Sequence, residues 1–201
     1  MVKKAITSYP IQPLIAERWS PYGFDSRTVP QQELRSLFEA ARWAASSYNE
    51  QPWRFIVATK DNPALYEKVL SCLWDLNQAW AKQAPVLVLC VVSLNLVHNN
   101  AENHAAVHDL GLATGNLSLE ATARGLSVHP MIGIHPDRVQ QLFAVPEGFR
   151  AWTGLAIGYC ADPETLIPEL KQRDTTARTR KPLDQIVFGE SWGKPSALVT
   201  P

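Results

Sequence analysis

The stretch that decides the fold is residues 40–57, AARWAASSYNEQPWRFIV. Apolar residues recur here and upstream at helical spacing and predict a helix over about 31–45; they are Leu34, Leu37, Phe38, Ala41, Ala44 and Ala45. Residues 46–49 interrupt this pattern with polar side chains that hydrogen-bond their own backbone. After Pro52, apolar residues alternate as they do in a strand, over about 53–59. The sequence therefore predicts a helix that ends in a polar turn and leads into a buried strand.

Further elements are predicted on both sides of this turn. The continuous apolar run PVLVLCVV at 85–92 is typical of a central strand buried on both faces. Residues 101–124 form one long predicted helix, ended by Gly125, whose small residues favour close packing against another helix. The remaining predictions are helices over 10–17, 63–72, 73–84 and 136–143, and strands over 126–130 and 152–160. This irregular alternation favours an α+β sandwich over a doubly wound sheet.

The chain is expected to be a single domain over residues 1–201, with an arm rich in proline and charge over about 161–201. Nineteen basic residues balance nineteen acidic ones, which gives no support for nucleic-acid binding. No apolar run is long enough to predict a membrane span, and the N-terminus lacks the apolar core of a secretory signal.

The cysteines are three in number, at 72, 90 and 160, and they are far apart. This spacing predicts reduced thiols and a cytoplasmic location. His104 and His108 lie four residues apart on the long predicted helix, but no third ligand is evident. No metal site is therefore expected.

Two distant segments could bind a phosphate. The segment Arg18, Trp19 and Ser20 offers an arginine fork and a nearby hydroxyl. A surface arginine before an ordinary turn would give the same sequence pattern. The tail RDTTARTRKPLDQIVF at 173–188 is strongly basic, which is also typical of a solvated arm. The glycine-rich loops of Rossmann and P-loop proteins are absent, so a phosphate is not expected at such a turn.

Two turns could approach a ligand. Ser46, Ser47, Asn49 and Gln51 present small hydroxyl and amide groups, and an ordinary helix C-terminal turn is the structural alternative. The segment PMIG at 130–133 contains Gly133, which permits close approach of the main chain. A simple turn before the helix at 136–143 explains that glycine equally well.

Taken together, these motifs resemble the FMN-dependent nitroreductase family over about residues 14–188. The similarity is carried by the following segments: RWS at 18–20, SSYNEQPW at 46–53, HDLGLATGNLSLEA at 108–121, ARGLSVHPMIG at 123–133, AIGY at 156–159 and RKPL at 180–183. Two positions depart from the family pattern. Ala45 stands where proline is common, and Tyr48 stands where a smaller residue often occurs, which could narrow the substrate side of the pocket.

The resemblance implies an α-β-α sandwich with a central mixed, mainly antiparallel sheet, in a domain-swapped style of homodimer. FMN would lie at the interface. Arg18, Trp19 and Ser20 would contact the flavin and its phosphate, and Arg180, with Arg178 and Lys181 behind it, would complete the phosphate clamp. Backbone at Met131, Ile132 and Gly133 would face the central ring. Ser46, Ser47, Asn49 and Gln51 would reach the flavin of the other subunit.

The implied activity is reduction of nitroaromatics, quinones or similar small oxidants with NADH or NADPH by a ping-pong mechanism. The chemistry would belong to the flavin, so no protein side chain is predicted to be catalytic. Two alternatives stay open: a flavin-binding carrier or sensor without turnover, and a specialised reductive enzyme on the same fold.

Overall fold

The computed structural model describes residues 3–199. Its centre is a four-stranded sheet of β1 (Trp53–Thr59), β2 (Val86–Ser93), β3 (Ser127–Met131) and β4 (Phe149–Gly158), in the order β1-β2-β4-β3. All three pairings are antiparallel, which agrees with the mainly antiparallel sheet predicted, and no parallel pair occurs among the described strands. The apolar run predicted as a central strand is β2, and seven of its eight residues are buried.

Helices cover both faces of the sheet. They are α1 (Pro13–Glu17), α2 (Gln31–Arg42), α3 (Pro63–Leu70), α4 (Asp75–Ala81), α5 (Ala106–Ala123), α6 (Pro136–Phe143) and α7 (Pro168–Thr175). Alternate residues of β2 point to opposite faces. Val86, Val88 and Cys90 pack with α2 and α5, whereas Leu87 and Leu89 pack with α3, α4 and α6. The result is the predicted α-β-α sandwich with one core on each face.

Several element ends differ from the predictions. The long helix begins at Ala106 rather than at 101, because Asn103 Oδ1 accepts the Ala105 N–H and its carbonyl accepts the Ala106 N–H. It ends before Gly125, whose φ of +70° suits glycine at this position. Helix α2 ends at Arg42 rather than at 45, and β4 begins at Phe149 rather than at 152.

The arm predicted from residue 161 is wrong for its first part. Residues 168–175 form α7, in which Leu170 and Asp174 are buried. The Asp174 carboxylate accepts hydrogen bonds from the Tyr22 and Gly23 N–H groups, each at 2.9 Å. Exposed chain therefore begins only after α7, where no residue from 176 to 199 is fully buried. Within residues 3–199, no helix is both long and apolar enough to cross a membrane.

Candidate cofactor site

A cluster of arginines forms where the chain leaves α1. The Arg18 guanidinium lies 3.4 Å from Ser20 Oγ. Arg178, which follows α7, donates hydrogen bonds from its two terminal nitrogens to the carbonyl oxygens of Arg18 and Ala16. Arg180 follows two residues later and is exposed. The structure thus brings together the RWS segment and the basic tail, which lie about 160 residues apart in the sequence.

The arginines of this cluster lie close to one another and form no ion pair with a carboxylate within residues 3–199. Burial lowers the pKa of Arg18, and the charge of Arg180 lowers it further. The pKa of Arg178 is lowered by burial and then by the charges of Arg18 and Arg180. Among residues 3–199, none of the three forms an ion pair with a carboxylate, and the buried Nε of Arg178 has no hydrogen-bond partner. An anion with several acceptor oxygens would relieve this repulsion.

The loop that carries Arg18 is held from two sides. Asp174 binds the main chain at Tyr22 and Gly23, and His129 on β3 donates from Nδ1 to the Pro21 carbonyl at 2.8 Å. The Tyr22 ring packs edge-on against His129, with ring centroids 4.7 Å apart. Burial is the largest cause of the lowered pKa of His129, which favours the neutral ring. Neither Asp174 nor His129 is predicted as a site residue from the sequence, although His129 lies within the segment ARGLSVHPMIG.

The predicted turn after β3 lies along the same edge of the sheet. His129 holds the loop at Pro21. Met131 and Ile132 follow His129 by only two and three residues, so they lie near this contact. Met131 is buried, whereas Ile132 is 69% exposed. At Gly133 an added Cβ would lie 2.5 Å from the Asn77 amide nitrogen. Packing against the start of α4 therefore already favours glycine here, a reason that the sequence did not indicate.

The turn between α2 and β1 has an unusual backbone. Tyr48, Asn49 and Gln51 have φ values of 51°, 56° and 47°. Ser46 Oγ accepts the Gln51 N–H at 3.0 Å, and the Ser47 N–H donates to the buried carboxylate of Asp109 on α5, also at 3.0 Å. The four predicted residues are thus fixed next to one another, at the sheet edge formed by β1.

Within one chain this turn does not meet the arginine cluster. Ser47 is bound to Asp109, near the N-terminal end of α5, whereas Trp19 lines a cleft with Thr122 and Gly125 at the other end of that helix. Thr122 follows Asp109 by thirteen positions along the helix, which corresponds to about 20 Å along its axis. Lys181 is exposed and extends the basic segment beyond Arg180. The predicted residues therefore form two separate groups in one chain.

Comparisons of this chain with known proteins agree on one family. The Nitroreductase family matches residues 15–159. A putative NADH dehydrogenase/NAD(P)H nitroreductase of Methanothermobacter thermautotrophicus is 30% identical over 74% of this chain and 76% of its own length. The major NAD(P)H-flavin oxidoreductase of Aliivibrio fischeri is 28% identical over 76% of this chain and 88% of its own length.

A solved structure extends the similarity to nearly the whole fold. The crystal structure described as that of the oxidoreductase containing FMN superimposes with a TM-score of 0.87 at 33% identity, covering 94% of this chain and 96% of the other. The family match over residues 15–159 contains the RWS segment, the 46–51 turn and β3. It therefore includes both groups of candidate site residues, except the basic tail. On this sequence and structural similarity, the chain belongs to the nitroreductase family.

Proposed function

We propose that this protein is an NAD(P)H-dependent flavin oxidoreductase that binds FMN and reduces small oxidants such as quinones and nitroaromatics. The observation that carries the proposal is the arginine cluster of Arg18, Arg178 and Arg180, which has no carboxylate partner among the described residues. Membership of the nitroreductase family and the similarity to an FMN-containing oxidoreductase support the same assignment. The cluster suits an anion such as the flavin phosphate, which agrees with the family membership.

The residues present fit a flavin phosphate. That group carries nearly two negative charges, and guanidinium groups form strong charge-assisted hydrogen bonds with it. The Arg18 side chain, the Ser20 hydroxyl and the exposed Arg180 side chain are the groups proposed to bind it, with Lys181 beyond them. Arg178 differs, because its terminal nitrogens already bind two main-chain carbonyls. We therefore assign Arg178 to positioning the Arg18 backbone.

Bound FMN would supply the redox chemistry, accepting a hydride from NADH or NADPH and passing electrons to the oxidant. The protein residues bind and orient. Main chain at Met131, Ile132 and Gly133, on the same sheet edge as the arginine cluster, is proposed to lie beside the flavin ring. Because one pocket would serve the donor and the oxidant in turn, we expect ping-pong kinetics. No side chain is assigned to proton transfer, since solvent can supply protons.

We also propose that the site is shared between two copies of the chain. The 46–51 turn and the arginine cluster lie beside opposite ends of α5, about 20 Å apart along the helix axis, which favours their contribution to one flavin site by different chains. One face of α5 is unpacked: Gly111 and Gly115 have no atom near an added Cβ, and Leu112 is exposed. A second copy packed there would bring its Ser46, Ser47, Asn49 and Gln51 to the flavin, in a single-domain cytoplasmic homodimer.

The absorption spectrum of the purified protein tests this function directly. A yellow protein that bleaches on anaerobic addition of NADPH or NADH, and recovers its colour with a quinone, is the expected result. A yellow protein that does not bleach with either nucleotide would instead indicate a carrier or sensor. A colourless protein that takes up no added FMN would contradict the site assignment.

A further inference from the structure

The first described residues of the chain, 3–5, lie against the arginine cluster. The Ala5 N–H donates to the carbonyl oxygen of Ala16, in α1, at 2.8 Å. The same carbonyl oxygen is one of the two acceptors of Arg178. This shared acceptor places residues 3–5 next to both the RWS segment and the basic tail.

The Lys3 side chain joins these two parts of the cluster. Its Nζ donates to the carbonyl oxygen of Arg173 at 3.0 Å, in the last turn of α7. The same ammonium lies over the Trp19 ring, 5.1 Å from its centroid, which is within the range of a cation–π interaction. Trp19 is the middle residue of the RWS segment, and it is buried. One side chain therefore contacts both the RWS segment and the helix at the start of the basic tail.

The end of α7 that Lys3 contacts is also the part that holds the loop after Arg18. Asp174 directly follows Arg173, and its carboxylate accepts the N–H groups of Tyr22 and Gly23. A cation beside the last carbonyl groups of a helix interacts favourably with the partial negative charge there. The hydrogen bond from Lys3 therefore stabilises the turn of α7 from which Asp174 reaches the loop.

The Lys3 ammonium is partly withdrawn from water and lies close to the charges of the cluster. Burial is the largest cause of the lowered pKa of Lys3; the charge of Asp174 opposes this effect, and the charge of Arg178 adds to it. Cation–π contacts are stronger where the cation is desolvated. The adjacent Lys4 is exposed. Two neighbouring lysines thus lie in different environments, which allows one to serve as the control for the other.

We propose that Lys3 is a positioning residue of the flavin phosphate site, which holds the RWS segment against α7 and so fixes Arg18 and Ser20 for the phosphate. This inference rests on the proposed function, because the ligand whose affinity Lys3 controls is FMN. Lys3 acts through the Trp19 ring and the Arg173 carbonyl, and the phosphate contacts stay with the groups already assigned to them. Preorganised contacts bind more tightly because less ordering is needed when the ligand arrives.

The test titrates the apo-protein with FMN and with riboflavin, which lacks the phosphate, and follows the fluorescence of each flavin. Lys3→Ala removes both contacts of the ammonium. We expect its Kd for FMN to rise roughly three- to tenfold and its Kd for riboflavin to stay at the wild-type value. Lys3→Arg retains the charge and the N–H donors, so it should restore FMN affinity. Lys4→Ala removes the same charge one residue away and should bind FMN as wild type does.

Three results would overturn the inference. They are an unchanged affinity for FMN in Lys3→Ala, an equal loss of FMN affinity in Lys4→Ala, and an equal loss of FMN and riboflavin binding in Lys3→Ala. The second would reflect net charge alone, and the third a general loosening of the fold. A wild-type protein that takes up neither flavin would instead refute the proposed function, so the two failures are distinguishable.

Discussion

Arg178 and Arg180 stand two residues apart in the same basic segment, and the structure predicts opposite consequences for replacing them. The two terminal nitrogens of Arg178 donate to the carbonyl oxygens of Ala16 and Arg18, at the end of α1. Arg180 is exposed, and within the described part of the chain its side chain donates only to the adjacent carbonyl of Thr179, at 2.7 Å. We expect Arg178→Gln to reduce stability and Arg180→Gln to reduce FMN affinity.

The magnitudes follow from the hydrogen bonds that each substitution removes. A hydrogen bond to a charged group contributes about 1.5–3 kcal/mol. For Arg180→Gln, removal of one such bond to the phosphate corresponds to a roughly 10- to 100-fold rise in the Kd for FMN. For Arg178→Gln, removal of two bonds that are not fully additive corresponds to about 3 kcal/mol of unfolding free energy. In a chain of this size that is a fall in Tm of roughly 6–12 °C.

The assay distinguishes a lost contact to the flavin phosphate from a lost contact to the flavin ring system. Apo-protein is titrated with FMN and with riboflavin, which lacks the phosphate, and its thermal unfolding is followed without ligand. Arg180→Gln should weaken FMN binding and leave riboflavin binding and Tm unchanged. Lys171→Gln provides a matched control, because this exposed residue pairs with Glu164 outside the cluster.

Two results would refute this reasoning. If Arg180→Gln weakened FMN and riboflavin equally, Arg180 would not contact the phosphate. If Arg178→Gln kept the wild-type Tm but bound FMN selectively more weakly, the roles of the two arginines would be exchanged.

Three further predictions concern the loop and the shared site. Asp174→Asn should lower Tm and weaken FMN binding together, because the carboxylate holds the N–H groups of loop 21–23; unchanged melting would contradict that role. Since burial lowers the folded pKa of His129, the unfolded chain takes up this proton first, near pH 6.5. The contribution of the neutral His129 ring to the free energy of unfolding is therefore complete above pH 6.5 and declines below it. Unfolding measurements from pH 7.5 to 5 should show a shallower dependence of this free energy on pH in His129→Gln than in wild type. Dimers that pair a wild-type chain with a Gln51→Ala, Arg180→Gln chain should have no intact site if sites are shared; one intact site per dimer would exclude sharing.

Much of the fold was predictable because its signals are local. The run Val86–Val92 is apolar at every position, and a short apolar segment rich in valine is typical of a strand buried on both faces. The helix over 31–42 and the strand over 53–59 were predicted from periodicities of 3.6 and 2, with errors limited to a few residues at their ends. At the start of α5 the error came from Asn103, whose side chain caps a position that apolar spacing does not mark.

The parts that were not predictable depend on contacts between distant residues. Nothing in the charged segment around Asp174 indicates that its carboxylate is buried against main chain some 150 residues earlier. The same segment looks like a solvated arm, because α7 presents few apolar residues and only Leu170 enters the core. Both Arg178 and Arg180 are arginines, so the sequence does not distinguish a phosphate-binding side chain from one that stabilises the backbone. The two carbonyl acceptors of Arg178 make that distinction in the structure.

The arrangement of the two candidate groups explains why the family signature is spread so widely along the chain. β1 and β3 are the two edges of the sheet, and the turn before β1 and the loop over β3 lie at opposite ends of α5. A site built from one chain would need neighbouring segments, as at the end of adjacent strands, and this topology offers none that joins both groups. Packing of α5 against α5 of a second, antiparallel copy would place the N-terminal end of one helix beside the C-terminal end of the other. The exposed Gly111 and Gly115 lie on a face that permits such close approach. In such a dimer, the length of α5 would set the distance over which each copy completes the site of its partner.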